Sequence, residues 1–217
     1  MKIVVVDMGV GNLQSVLQAM QTVAVDAHIT ISADPQQLLD ADKIVLPGQG
    51  AIGTWFENLE QNKLKAAIIS SLGEKPMLGI CVGMQALFTH CEEDGGINGL
   101  GLFNGQVRHF SNFHQHADNK HRLKIPKMGW NQVSQTRDHP LWQGIEDQAH
   151  FYFVHSYCAN AESLTDTDFI VGQADYAHEF IAAVASNKLF ATQFHPEKSH
   201  DDGLRLLKNF AAWNGEW

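Results

Sequence analysis

The apolar residues in the first third of this chain fall into short unbroken runs, and spaced apolar positions separate the runs. Ile3-Val4-Val5-Val6, closed by Asp7, is a continuous β-branched run of the kind found in a strand covered on both faces in a parallel sheet. Gly9 and Gly11 mark a turn, and Asn12 is placed to cap a helix in which Leu13, Val16, Leu17 and Met20 form one apolar stripe. A second strand is predicted over roughly residues 26–31. It leads into Ser32-Ala33-Asp34-Pro35, a helix start with an acid and then a proline at the first turn. Lys43-Ile44-Val45-Leu46 is a third strand, running into Pro47-Gly48-Gln49-Gly50. A helix over about 54–72 follows, with Gly73 as its stop. Lys75-Pro76-Met77-Leu78-Gly79-Ile80 then carries a fourth strand to Cys81, and the spacing from Val82 to Phe88 is helical.

Strands alternating with helices in this way predict an α/β fold, a doubly wound and mostly parallel sheet flanked by helices. Ligands in such sheets sit beyond the carboxyl ends of the strands. The segments 7–11 and 47–50 and Cys81 all lie there, so three separated loops converge on one edge.

The second half reads differently. From Cys91 to about Asp138 the pattern loosens, and Gly95, Gly96, Gly99, Gly101 and Gly105 suggest turns between short strands. The stretch from Phe110 to Lys124 is polar and rich in histidine. His109, His114, His116 and His121 match no standard metal-site spacing and read as part of a solvated loop, so no metal is expected. Lys127-Met128-Gly129-Trp130-Asn131 is an apolar knot, which fits a tryptophan anchoring the returning loop in the core. Residues 151–157, Phe169-Ile170-Val171-Gly172, 180–184 and 189–194 are further strands. The last two flank a hairpin turn at Ser186-Asn187-Lys188 and add antiparallel strands to the sheet. Asp201-Asp202-Gly203 opens a final helix with Leu204, Leu207 and Phe210 inward. No repeat and no linker divides the chain, which reads as one domain over 1–217.

Composition narrows the function classes. A hydrophobic fraction of 44% is ordinary for a globular protein, and a net charge of -9 leaves nothing to neutralise phosphates, so nucleic-acid binding is not expected. No apolar stretch is long enough to span a membrane, and the first apolar run is too short for a signal-peptide core. Three cysteines without metal-type spacing argue against a disulfide framework, and a reducing cytoplasm is expected.

The chemistry centres on Gly79-Ile80-Cys81-Val82-Gly83-Met84-Gln85. A strand turning sharply into a helix throws its corner residue outward, and glycines on both sides make room for the turn. Cys81 at that corner faces unpaired helix N–H groups and the positive end of the helix dipole, both of which favour a thiolate. The same residue also fits a small buried apolar position. A nucleophilic cysteine needs a base and a group to orient that base. His195 ends a strand as Cys81 does, and Glu197 follows across Pro196. An oxyanion site would use the N–H of Val82 and the Gly48-Gln49 peptide, which the flanking glycines leave free to rotate.

The elbow, the Pro-Gly-x-Gly loop and the His-Pro-Glu end together resemble the class I (triad) glutamine amidotransferases, whose core is flavodoxin-like. Five local matches resemble one branch, the glutaminase subunits of imidazole glycerol phosphate synthases. They are Asp7-Met8-Gly9-Val10-Gly11-Asn12, Met84-Gln85, Met128-Gly129-Trp130-Asn131, Tyr152-Phe153-Val154-His155-Ser156-Tyr157 and His195-Pro196-Glu197-Lys198-Ser199. The resemblance implies that Cys81 forms a thioester with L-glutamine, that His195 moves the protons and that Glu197 orients His195. It implies that Gln85, Ser156 and Tyr157 hold the substrate and that no cofactor is needed. It also implies a heterodimer with a (β/α)8-barrel cyclase subunit that receives the ammonia, with Asn12, Met128, Trp130, Tyr152 and Lys198 facing that partner. The chain departs from the family in having Gln49 where valine is usual and Val82 where leucine is commoner. A triad amidotransferase serving another pathway and a non-catalytic scaffold of the same fold are the alternative readings.

Overall fold

A computed structural model describes residues 1–9, 11–113, 124–162, 164 and 166–217. Val10, His114, His116 and His121, and with them most of the histidine-rich stretch, lie outside the described residues.

The elements run in the order β1 (Lys2–Val6), α1 (Leu13–Val23), β2 (His28–Ser32), α2 (Pro35–Leu39), β3 (Lys43–Leu46), α3 (Ile52–Gln61), α4 (Leu64–Ser71), β4 (Met77–Ile80), α5 (Val82–Gln85) and β5 (Phe88–Cys91). The order continues with β6 (Ile97–Asn98), β7 (Phe103–His109), β8 (Lys127–Gln132), β9 (Ser134–Gln135), β10 (His150–His155), β11 (Tyr157–Ala159), β12 (Ile170–Asp175), β13 (Glu179–Ser186), β14 (Leu189–Thr192) and α6 (His200–Ala212).

The central sheet has the order β2-β1-β3-β4-β14-β13-β12-β9. β2, β1, β3, β4 and β14 run parallel, and β13, β12 and β9 extend the sheet antiparallel. β1, β3, β4 and β14 are almost wholly buried, which explains why their sequences are unbroken apolar runs rather than alternating ones. The two helix starts read from sequence are capped as expected. Asn12 Oδ1 accepts from the Ser15 N–H at 3.2 Å, and Asp34 Oδ1 accepts from the Gln36 N–H at 2.9 Å with Pro35 in the first turn.

Three expected elements differ from what is found. The single helix expected over 54–72 is two helices, α3 and α4, because Lys63 adopts the left-handed conformation (φ 56°) and breaks the ladder. The turn there re-aims the chain so that Leu64, Ala67 and Ile68 are buried as Ile52, Trp55 and Leu59 are. The helix after Cys81 stops at Gln85 instead of reaching Phe88. The returning chain claims its carbonyls, with Leu100 N–H donating to Ala86 O at 2.7 Å and Leu102 N–H to Leu87 O at 2.8 Å. Phe88 therefore starts β5 in a second sheet, ordered β11-β7-β5-β6. The strand expected over 151–157 is broken at Ser156, whose carbonyl accepts from Phe110 N–H at 3.0 Å. β10 pairs with β8 and β11 with β7, so the corner between them sits in front of Cys81.

Candidate active site

Cys81 stands where β4 meets α5, with φ 55° and ψ −108°, a backbone conformation that costs an L residue on the order of 1–3 kcal/mol. Close packing forces the corner. A Cβ on Gly83 would lie 1.9 Å from the Leu46 carbonyl oxygen, and one on Gly79 would lie 2.8 Å from the Ala191 Cβ. Only glycine on both sides lets α5 start this close to β3 and β14.

β14 delivers the partners. His195 and Glu197 follow it around Pro196, and both side chains are 1% exposed. His195 Nδ1 lies 2.9 Å from Glu197 Oε1, so the proton on Nδ1 is held by the carboxylate and Nε2 is left for chemistry. Nε2 is buried and, among the described residues, makes no hydrogen bond. Burial opposes charge on this ring, but the nearby Cys81 sulfur and the Glu197 carboxylate outweigh burial and push His195 up to about 10.

The oxyanion donors read from sequence are adjacent but not assembled. The Val82 N–H donates to Gly48 O at 3.4 Å, so the loop carbonyl occupies the donor that a developing oxyanion would need. Gln49 is anchored at both ends of its amide: its Oε1 accepts from the Asn12 N–H at 3.2 Å, and its Nε2 lies 3.4 Å from His195 Nδ1.

A cavity of about 490 Å³ opens in front of Cys81. Gln85, Ser156 and Tyr157 line it, as do Gln49 and Val82, while Met128, Tyr152 and Lys198 form its rim. Both Gln85 N–H groups are spent inside the protein, one on Tyr157 O at 3.0 Å and one on Gln193 Oε1 at 3.0 Å. Only its oxygen remains to accept from a substrate.

Residues that sequence reasoning passed over complete the wall. Glu93 lines the cavity with a half-buried carboxylate that accepts from the Ile52 N–H at 3.0 Å. Burial pushes this carboxyl up against that hydrogen bond, and Asp94 adds to the push. His155 also lines it, donating through Nδ1 to Tyr157 O at 2.8 Å, and its burial keeps the ring neutral, down at about 3. Gln193 is fully buried beside the sulfur. The acidic run Glu92-Glu93-Asp94 after the elbow was the one available signal for Glu93. His155 and Gln193 lay inside motifs already singled out for their neighbours.

At the rim Met128 is 62% exposed, and beyond it Trp130 is 42% exposed, so Trp130 does not anchor a core. Trp130 pairs with Tyr152 across β8 and β10 and stacks flat on His200, with centroids 5.0 Å apart. Asn12, on the β1–α1 loop, is exposed and joins this face through its bond to Gln49. Among the described residues, no three His, Cys, Asp or Glu side chains converge to hold a metal ion, and no helix is long and apolar enough to cross a membrane.

The family model described as glutamine amidotransferase class-I matches residues 4–213. The chain is 46% identical over 215 residues to the imidazole glycerol phosphate synthase subunit HisH of Pseudomonas syringae pv. syringae, and 99% of each chain is covered. It is 46% identical over 216 residues to the subunit of the same name from Chromobacterium violaceum, again with 99% of each covered. Its fold is similar to that of a putative GMP synthase subunit from Thermoplasma acidophilum. That match has a TM-score of 0.67 and 22% identity, covering 98% of this chain and 92% of that one. A crystal structure of a glutamine amidotransferase matches with a TM-score of 0.69 and 15% identity, covering 97% of this chain and 99% of that one.

Proposed function

The chain belongs to the class-I glutamine amidotransferases, and from that premise we propose that it is the glutaminase subunit of an imidazole glycerol phosphate synthase, acting over residues 1–217 as one unit. The observation that carries the chemistry is the buried relay of Glu197, His195 and Cys81, with Cys81 opening onto the cavity.

Glutamine enters with its side-chain amide toward Cys81. Its α-ammonium suits the Glu93 carboxylate, and the Gln85 oxygen accepts one of its N–H groups. The Cys81 thiolate attacks the amide carbon, and negative charge moves onto the carbonyl oxygen. His195 Nε2–H gives its proton to the nitrogen as the C–N bond breaks, which releases ammonia and leaves a thioester. The now neutral Nε2 takes a proton from water, whose oxygen attacks the thioester. The thiolate departs, and glutamate leaves as the acid.

The oxyanion must be stabilised in both steps. Val82 N–H can do so only after Gly48 O withdraws, so the 47–50 loop turns before the chemistry. Ammonia then passes to a (β/α)8-barrel cyclase subunit, which makes imidazole glycerol phosphate and the aminoimidazole carboxamide ribotide in histidine biosynthesis. Asn12, Met128, Trp130, Tyr152 and Lys198 face that partner. The reducing cytoplasm is the compartment that suits a free catalytic thiol.

The test mixes the chain with the cyclase and measures glutamine turnover with and without the nucleotide substrate. Turnover should rise only with both present and should vanish in Cys81→Ala while the complex still forms. Full turnover by Cys81→Ala, or indifference to the cyclase, would overturn the reading.

A further inference from the structure

The triad accounts for one side of the Cys81 sulfur. On the other side, Gln193 Nε2 lies 3.5 Å from Sγ, and Gln193 is 0% exposed. We propose that Gln193 is a further catalytic residue of this site: it donates a fixed hydrogen bond to the Cys81 sulfur and holds it in its reactive, thiolate form and position.

What makes the donor fixed is a chain of amides whose polarity is set at one end by the backbone. The Tyr157 carbonyl can only accept, so the end of Gln85 that lies 3.0 Å from it must be the NH₂. The same nitrogen lies 3.0 Å from the neighbouring Gln193 side chain, which must therefore turn its oxygen to it. Gln193 is then left with its NH₂ toward Sγ. His155 Nδ1–H also donates to Tyr157 O at 2.8 Å and pins the carbonyl in place. The Gln85 and Gln193 side chains are both buried, and a reversed amide would set two donors or two acceptors face to face. A thiolate accepts from an N–H, whereas Val154 O, which lies 4.0 Å from Sγ, can accept only a thiol proton. The arrangement therefore favours the anion on Sγ whichever way the 47–50 loop points.

This inference deepens the glutaminase reading, but its readout does not depend on glutamine. The experiment follows alkylation of Cys81 by iodoacetamide on the full chain across pH, with Cys81→Ala as the blank. Cys91 and Cys158 are quiet in this assay: burial pushes the Cys91 thiol up to about 11, and burial also raises Cys158. Gln193→Met and the isosteric Gln193→Glu should alkylate at least tenfold more slowly near neutral pH and recover toward the native rate in alkali. Glutamine turnover, read separately in the complex, should fall in kcat with KM little changed.

Gln85→Met frees the Gln193 amide to turn its oxygen to the sulfur. It should slow alkylation although Gln85 does not hydrogen-bond Sγ, and Gln85→Met combined with Gln193→Met should be no slower than Gln193→Met alone. If either Gln193 variant fails to fold, the other and Gln85→Met carry the measurement. Rates within twofold of native across the pH range in a folded Gln193 variant or in Gln85→Met would overturn the proposal. Glutamine turnover by the native complex would still stand or fall separately.

Discussion

Gln49 Nε2 lies 3.4 Å from His195 Nδ1, the same ring nitrogen that Glu197 Oε1 holds at 2.9 Å. The Gln49 amide cannot turn over, because its oxygen already accepts from the Asn12 N–H. An N–H is therefore aimed at a nitrogen that must itself carry a proton for Glu197 to orient the ring, and the two demands conflict. The same residue belongs to the loop whose Gly48 carbonyl occupies Val82 N–H. Gln49 ties the 47–50 loop to the β1–α1 loop and crowds the His195 ring.

Gln49→Val removes that tie. One or two hydrogen bonds of roughly 0.5–1.5 kcal/mol each are lost from the resting state, so glutamine turnover by the chain without its partner should rise about threefold to tenfold. The activation ratio on adding the cyclase and its nucleotide should shrink in step. A basal rate equal to or below that of the native chain would show that the Gln49 side chain does not restrain the loop.

Glu93 serves two neighbours: it accepts from Ile52 N–H at the start of α3 and turns toward the cavity. Glu93→Gln keeps an acceptor for Ile52 and removes the charge. KM for glutamine should rise about tenfold or more with kcat nearly unchanged, as loss of a charge-assisted contact to an ammonium group predicts. A fall in kcat at constant KM would mean that Glu93 serves the chemistry and not the α-ammonium.

Trp130 is the large aromatic left exposed beside the cavity mouth, held rigid by Tyr152 on one side and His200 on the other. A preordered aromatic in that position has the character of an interface hot spot. Trp130→Ala should leave the thermal midpoint of the isolated chain within about 2 °C of native, since the ring buries little of the core. It should weaken cyclase binding by about 2 kcal/mol or more, roughly thirtyfold, in a titration by calorimetry. Unchanged affinity would move the interface elsewhere.

How far this site could be read in advance follows from the range of the interactions involved. Cys81, His195 and Glu197 sit in short motifs at strand ends, where the local chemistry of glycine and proline announces the geometry. The parallel core was equally legible, because burial on both faces writes itself as unbroken apolar runs. The break at Lys63 was not, since a left-handed lysine carries no residue signal of its own. Nor was the early end of α5, which depends on carbonyls claimed by a segment more than ten residues later. Gln193 and Glu93 join the site only through tertiary contacts, to Gln85 and Ile52 respectively. The state of the 47–50 loop is tertiary as well. Sequence marks Gly48-Gln49 as able to rotate, and the fold decides that Gly48 O faces Val82.

Two buried histidines give the fold an acid limit. His139 packs against Phe190, Trp213 and Trp217. Its Nδ1 accepts from Leu141 N–H at 3.0 Å, so protonation would both charge a buried ring and break that bond. Burial holds His139 down at about 3, and His155 is held there for the same reason. The unfolded chain takes up a proton at each below about pH 6.5, and the folded chain refuses it until about pH 3. The stability these rings permit is thus complete above pH 6.5 and declines as pH falls toward 3. At pH 5 each contributes a loss of about 2 kcal/mol. His195, raised to about 10, is charged in both states below pH 6.5 and adds no slope there; its contribution is full below pH 6.5 and is lost as pH rises from 6.5 through 10. His139→Asn keeps an oxygen to accept from Leu141 N–H and cannot titrate. The native chain should lose thermal midpoint steeply between pH 7.5 and 5, and the variant should lose about 4–8 °C less over that interval by differential scanning fluorimetry. Parallel curves for the two proteins would show that His139 does not control the acid response.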